Sequence, residues 1–477
     1  MEIPIRCSRF ITLIYMLLLF GCSTATISKN LLITPYAINR EQTGEFRQAY
    51  TIGGRGTDWG SSILRSSDGF GYAVFGYSIK SFGESTDFLA VKMSPTWEPV
   101  WARTYGGTYK EVFYAAINTS DRGYVMLGDT LSMFNTPLRV YSTHYPSPRP
   151  LLVKIDGDGN VKWARIVCCN SRSIYETGDG SYVVAGELYH RPKFPNKFSV
   201  RYPSDIILTK LNRDGTVKWS KTYRADSSTF GSTVREARDG SILIGGAIQV
   251  SSTNKNVLLV KVSSDGSFLW SKTYEYDSNQ GIYDMLETED RGWLLMGPQK
   301  SGNSQNSILL FKVSSTGDIL WSNLYNSSGN HDLGAAMIHG YGSTYLIVGR
   351  SDSIEEAGRS EEKTKGAILF INEKGQIITS THFSPATVFM SAAMVNKEEY
   401  VLVGTHEKSD RWRNSMFIAN WLPTMASKDS SAYSAKSITL FGKSVLMFAN
   451  NEKGEDEFIS NLDVTVLSVK PEKTESK

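Results

Sequence analysis

The chain has 477 residues, 12% of them aromatic and 21% charged, with a formal net charge of +3. That aromatic content excludes a disordered chain, and a charge this close to balance argues against a nucleic-acid partner. The length admits two or three ordinary domains or one large repeat protein.

At the N-terminus Arg6 and Arg9 precede an apolar run over 10–20. The run is too short for an ordinary spanning helix, and residues 1–21 are expected to be a signal peptide. It ends in Leu19-Phe20-Gly21-Cys22, followed by Ser23. This resembles the lipobox of bacterial lipoproteins. The resemblance implies that Cys22 becomes the first mature residue and carries the lipid, palmitate among its acyl chains. Two or more chains give stable membrane anchoring where one does not. The address implied is the bacterial cell envelope, and Ser23 points to the outer membrane where the host has one. Residues 22–44 are expected to be an anchor linker, 45–470 the folded domain and 471–477 a tail. With Cys7 removed and Cys22 lipidated, the cysteines left are the adjacent Cys168 and Cys169.

From Phe46 onward the chain repeats. "FRQAYTIGG" reads as an orphan outer strand. "VKMSPTWEPVWARTY" begins at Val91, "VKIDGDGNVKWARI" at Val153, "TKLNRDGTVKWSKTY" at Thr209, "VKVSSDGSFLWSKTY" at Val260 and "FKVSSTGDILWSNLY" at Phe311. A worn copy, "FINEKGQIITS", begins at Phe370. The alternating Asp and Gly of "DGDG" suggest a calcium loop, but that loop's remaining ligands and closing Glu are missing. The same slot holds SSDG, NRDG and SSTG in the other copies, so Asp-Gly there is hairpin chemistry. Upstream of each tryptophan lies a second hairpin whose later strand closes on Gly76, Gly128, Gly186, Gly245, Gly297, Gly349 and Gly404.

Each unit therefore reads as four antiparallel strands, A to D, with no helical period between them. Tandem four-stranded units of about fifty residues predict an all-β fold, a β-propeller. Eight blades are favoured, with "DSSAYS", "SVLMFAN" and "VTVLSVK" forming the eighth and the strand at Phe46 closing the last blade. Seven blades with 425–470 as an appended β module is the alternative. The strand-turn-Gly-strand-Trp pattern resembles the quinoprotein-like (pyrroloquinoline-quinone repeat) propellers. That resemblance implies that Trp101, Trp163, Trp219, Trp270 and Trp321 dock between blades. Lys92, Lys154, Lys210, Lys261 and Lys312 are expected to lay their stems on apolar surface while the ammonium finds a carboxylate or water.

Antiparallel alternation puts the short A–B and C–D turns on one face and the B–C and D–A loops on the other. The second set is longer and irregular, which suits binding. Two neighbouring blades carry long B–C insertions, 131–150 and 188–203. They supply Tyr141, His144 and Arg149, then His190, Arg191, Lys193, Arg201 and Tyr202, with no acidic residue. The seventh unit adds Arg411, Trp412 and Arg413 at the same B–C position. A basic, aromatic surface of this kind suits a protein or an anionic glycan; solvated rim loops are the plain alternative. Asp58, Glu111, Thr229, Asn279 and Asp332 either ring the central mouth or cap the turn entering strand A.

Cys168 and Cys169 are candidates for a vicinal disulfide in an oxidising envelope, or for structural thiols on a packed strand. By resemblance, such a ring works against the quinone in quinoprotein alcohol dehydrogenases. No catalytic or metal-ligating set emerges and no cofactor is expected. The function expected is non-enzymatic binding or scaffolding at the envelope. The enzymatic alternative is a quinone-dependent dehydrogenase or a glycan-cleaving hydrolase.

Overall fold

The computed structural model describes residues 31–35, 46–53, 57–79, 85–107, 110–131, 149–167, 170–189, 203–275, 281–300, 306–327, 330–353, 364–383, 387–407, 414–423, 434–445, 447–451, 465–469 and 471–472. They form an all-β propeller of seven blades, not eight. Blades 1 to 6 occupy 57–106, 111–166, 170–224, 229–275, 284–326 and 330–383, each a four-stranded antiparallel meander. Blade 7 takes strands A to C from 387–421, and Phe46–Gly53 pairs antiparallel with its strand C, Asn414–Trp421. The innermost strands of successive blades touch in order, and Thr387–Met394 of blade 7 touches Thr57–Arg65 of blade 1.

The core is a ring of interfaces. Tyr124–Thr130 and Ser204–Leu211 are buried along their whole lengths, as strands covered on both faces must be. Seven apolar clusters lie between neighbouring blades. One example is Val183, Leu208, Val234 and Leu258 between blades 3 and 4. A blade alone cannot bury both faces, so the stacking holds the sheets together.

The repeated residues explain the stacking. Trp101, Trp163 and Trp321 donate Nε1–H to Gly157, Arg213 and Glu373 carbonyls in the C–D turn of the next blade, at 3.1, 3.1 and 3.0 Å. Four residues further on, Tyr105, Tyr223, Tyr274 and Tyr325 donate to the carbonyls of Gly159, Gly266, Gly317 and Gly375. Those glycines have φ between +74° and +80°, and the Trp rings pack against the turn. In blade 1 the turn residue is Trp97, at φ 67°, stacked on Tyr72 at 5.1 Å. It faces the blade-7 strand Phe46–Gly53, which has Gln48 where the outer strands of blades 1 to 5 have Trp. The aromatic has crossed the interface. Blade 6 has Thr379 at the Trp position, and blade 7, whose outer strand comes from the N-terminus, offers it no covalent C–D turn to clasp.

The recurring lysines are 8% exposed or less, and each meets the aspartate of its own A–B turn. Lys154 meets Asp121 at 2.6 Å, Lys210 Asp179 at 3.1 Å, Lys261 Asp239 at 2.9 Å and Lys312 Asp290 at 2.7 Å; Lys92 pairs likewise with Asp68. Burial would raise Asp68, but the bonds from Lys92 and Ser66 outweigh it and hold the carboxyl at about 2. In blade 6 Phe370 replaces the lysine, and the A–B turn there, Gly340–Ser343, carries no carboxylate.

Two turn expectations need refining. The strand-B glycine sits mid-strand, opposite a bulge in strand A: a Cβ on Gly76 would lie 1.7 Å from the Trp59 carbonyl. In blade 4 that residue is Gly246, not Gly245. In the Asp-Arg-Gly turns the positive φ belongs to Arg122 and Arg291, at 65° and 62°. "DGDG" is a hairpin turn: Asp156 Oδ1 accepts from the backbone of Asp158 and Asn160 at 3.1 and 2.8 Å.

The proposed eighth blade is instead a belt. Ser434–Ser437 adds a fifth strand outside blade 5, Phe441–Ser444 outside blade 4 and Phe448–Asn451 outside blade 3. Thr465–Val469 then joins blade 1, and Pro471–Glu472 pairs with Leu31–Pro35 on blade 7. That last strand lies in the segment expected to be linker. The belt thus steps backwards along the rim, satisfying backbone groups that the outer strands of blades 5, 4, 3 and 1 would leave open. Between belt strands Leu440 and Met447, 6% and 4% exposed, drop into the crevices between blades 4 and 5 and blades 3 and 4. "AKSITLF" and "GKSVLMF", at 435–441 and 442–448, form a seven-residue repeat with one copy per blade step.

Candidate functional site

Of the residues singled out for binding, Arg149 is described. It opens strand C of blade 2, paired with Thr130 and half-buried. Tyr141, His144, His190, Arg191, Lys193, Arg201, Tyr202, Arg411, Trp412 and Arg413 lie outside the described residues, as do Cys22, Cys168, Cys169 and Asn279. Asp58, Glu111, Thr229 and Asp332 do not line a mouth; they are 0–1% exposed. Asp332 accepts the Ser327 backbone N–H at 2.6 Å, Thr229 Oγ1 that of Ile206 at 2.9 Å, and Glu111 the Thr130 hydroxyl at 2.8 Å. Asp332 thus caps the turn entering strand A, whereas Thr229 ties strand A to strand C of the preceding blade and Glu111 ties it to strand B of its own.

The structure brings together a set that the sequence reading missed. Six inner strands show a one-residue register shift. A bulge leaves one residue unpaired and re-aims its side chain. In blades 2 and 3 the bulged residues are Tyr114 and Arg172, and the Arg172 guanidinium carbon lies 4.5 Å from the Tyr114 ring centroid. Tyr114 donates its hydroxyl to Asp129 Oδ2 at 2.5 Å. One blade on, Glu187 holds the register position of Asp129; its Oε2 accepts from Tyr189 Oη and from Asn170 Nδ2, the latter at 3.3 Å. In blade 1 the same position is Tyr77, stacked on Trp59 at 5.7 Å and 11°.

These residues follow the strand-B glycine directly: Tyr77, Asp129 and Glu187 in blades 1 to 3, against Ala247, Pro298, Arg350 and Thr405 in blades 4 to 7. The two insertions leave from the same strands B, which end at Thr130 and Tyr189. Burial raises the Asp129 carboxyl, against the Tyr114 bond and the Arg172 charge. Burial first, then the Glu187 bond, pushes Tyr189 up to about 12. The arrangement offers carboxylate acceptors, one guanidinium and several ring faces. Among the described residues no group of three His, Cys, Asp or Glu side chains is placed to hold a metal ion.

No family model matches the chain, and no curated protein matches it. Among solved structures it is similar to a protein of unknown function from Bacteroides caccae, at 10% identity and a TM-score of 0.38, over 65% of this chain and 93% of that one. A protein of unknown function from Dyadobacter fermentans is similar at 10% identity and a TM-score of 0.43, over 65% of this chain and 95% of that one. An exo-β-1,3-galactanase from Phanerochaete chrysosporium is similar at 10% identity and a TM-score of 0.31, over 87% of this chain and all of that one. At these values the likenesses say nothing about what this chain binds.

Proposed function

We propose that the chain is a lipid-anchored envelope propeller that binds an anionic glycan, without catalysis, on the face carrying the B–C and D–A loops. The lipobox-like Leu19-Phe20-Gly21-Cys22 supports the anchor and the envelope address. One observation carries the binding reading. The two basic insertions spring from the two blades whose strands A and B assemble Tyr114, Asp129, Arg172, Glu187 and Tyr189. A polyanion held by solvated cations should bind tightly at low salt and weakly at high salt.

Titration of the lipidated chain in detergent with polygalacturonate, at low and high salt, tests this reading. Changing Arg191, Lys193 and Arg201 together to Ala should weaken low-salt binding roughly a hundredfold, since each charge-assisted contact contributes about 1 kcal/mol or more. Unchanged binding in the triple variant would contradict it. Recovery of an envelope protein that competes with the glycan would redirect the reading to a protein partner. Cys22→Ala should leave the membrane fraction; if it stays there, the anchor is wrong.

A further inference from the structure

Asp129 is a group that the fold leaves unfinished. It is 7% exposed, Tyr114 satisfies its Oδ2, and its Oδ1 has no hydrogen-bond partner among the described residues. A buried carboxylate oxygen without a donor is unfavourable, and a purely structural role would be served as well by a neutral side chain. A ligand hydroxyl would supply that donor.

The surroundings narrow the ligand further. Tyr114 lies under Arg172, and Tyr189 is 40% exposed. A pyranose has an apolar face for such rings and a hydroxyl rim for the polar groups between them. A compact anion fits poorly, because Asp129 and Glu187 together oppose Arg172.

We propose that Tyr114, Asp129 and Arg172 form a sugar-ring subsite in which the free Oδ1 of Asp129 accepts a ligand hydroxyl. This rests on the glycan reading above and deepens it: the insertions would hold the polymer's charge, and this subsite would read its ring. The Asp129→Asn chain loses a charged acceptor but keeps a partner for Tyr114. Asp129→Leu removes the acceptor altogether. Calorimetric titration of the lipidated chain in detergent uses two probes, a galacturonate tetramer and inorganic polyphosphate. Polyphosphate shares the charge but has no ring or hydroxyl rim.

Tetramer affinity should fall about tenfold in Asp129→Asn and further in Asp129→Leu, with polyphosphate affinity unchanged and the thermal midpoint of Asp129→Asn not lowered. Tetramer affinity unchanged in both variants, but lost in the Arg191/Lys193/Arg201 variant, would overturn the subsite and leave the insertion reading standing. Polyphosphate binding without tetramer binding in the unmodified chain would overturn the sugar ligand. Binding of neither would overturn both readings.

Discussion

Removing residues 434–477 should lower the thermal midpoint of the propeller by roughly 10 °C, on the basis of a loss on the order of 5 kcal/mol. The belt contributes two kinds of stabilisation. Its strands pair with Asn323–Asn326, Lys272–Glu275, Lys221–Arg224 and Ala102–Gly106, so four outer edges would lose their backbone partners. Those edges reopen to water, so each bond is worth only about 1 kcal/mol net. Its two buried side chains matter more. Leu440→Ala and Met447→Ala should each cost about 2 kcal/mol, at the low end for core truncations because both sites lie at the rim. The described side chains of the belt strands themselves, Ser434–Ser437 and Phe441–Ser444, are exposed, so alanines at Lys436 and Lys443 should change little. A truncated chain with an unchanged midpoint would mean that the belt decorates the ring rather than fastening it.

The second large effect concerns the clasp between blades. Gly266 and Gly240 share a φ of +78°, so an alanine at either incurs the same backbone strain, about 1 kcal/mol. Their surroundings differ. A Cβ on Gly240 meets nothing within 4 Å, whereas on Gly266 it would lie 2.9 Å from the Trp219 ring and from the Lys221 stem. Overpacking of that kind costs a further 1–3 kcal/mol or so. Gly266→Ala should therefore be less stable than Gly240→Ala by about 2 kcal/mol in denaturant titration. Trp219→Ala combined with Gly266→Ala should show a smaller Gly266 penalty than the single change, because the clash is with the ring. Equal penalties at the two glycines would show that the turn does not seat tightly on the neighbouring blade.

Much of the scaffold was legible because its residues act once per blade. A Trp that must donate to the next turn, a Lys that must find its turn aspartate and a Gly that faces a bulged carbonyl each recur at fixed positions. The blade number was misread for a physical reason. "SVLMFAN" has the β-branched and apolar character of an inner strand, but belt hops need apolar pegs too, and the seven-residue spacing of Leu440 and Met447 was the distinguishing signal. The candidate site was less legible. Asp129 and Glu187 read as ordinary strand residues, and only the bulges that re-aim Tyr114 and Arg172 bring the set together. Their trace in the sequence was the residue after each strand-B glycine, acidic or aromatic in the same blades that lead into or carry the insertions.

Hydrogen exchange of the lipidated chain with and without the galacturonate tetramer locates the ligand without assuming any residue. New protection is expected in the strands 124–130 and 182–189 and in the inner strands 111–118 and 170–176 of blades 2 and 3. Protection confined to the A–B and C–D turns, or to the belt at 434–451, would place the ligand on the opposite face or at the rim and contradict the proposed binding face.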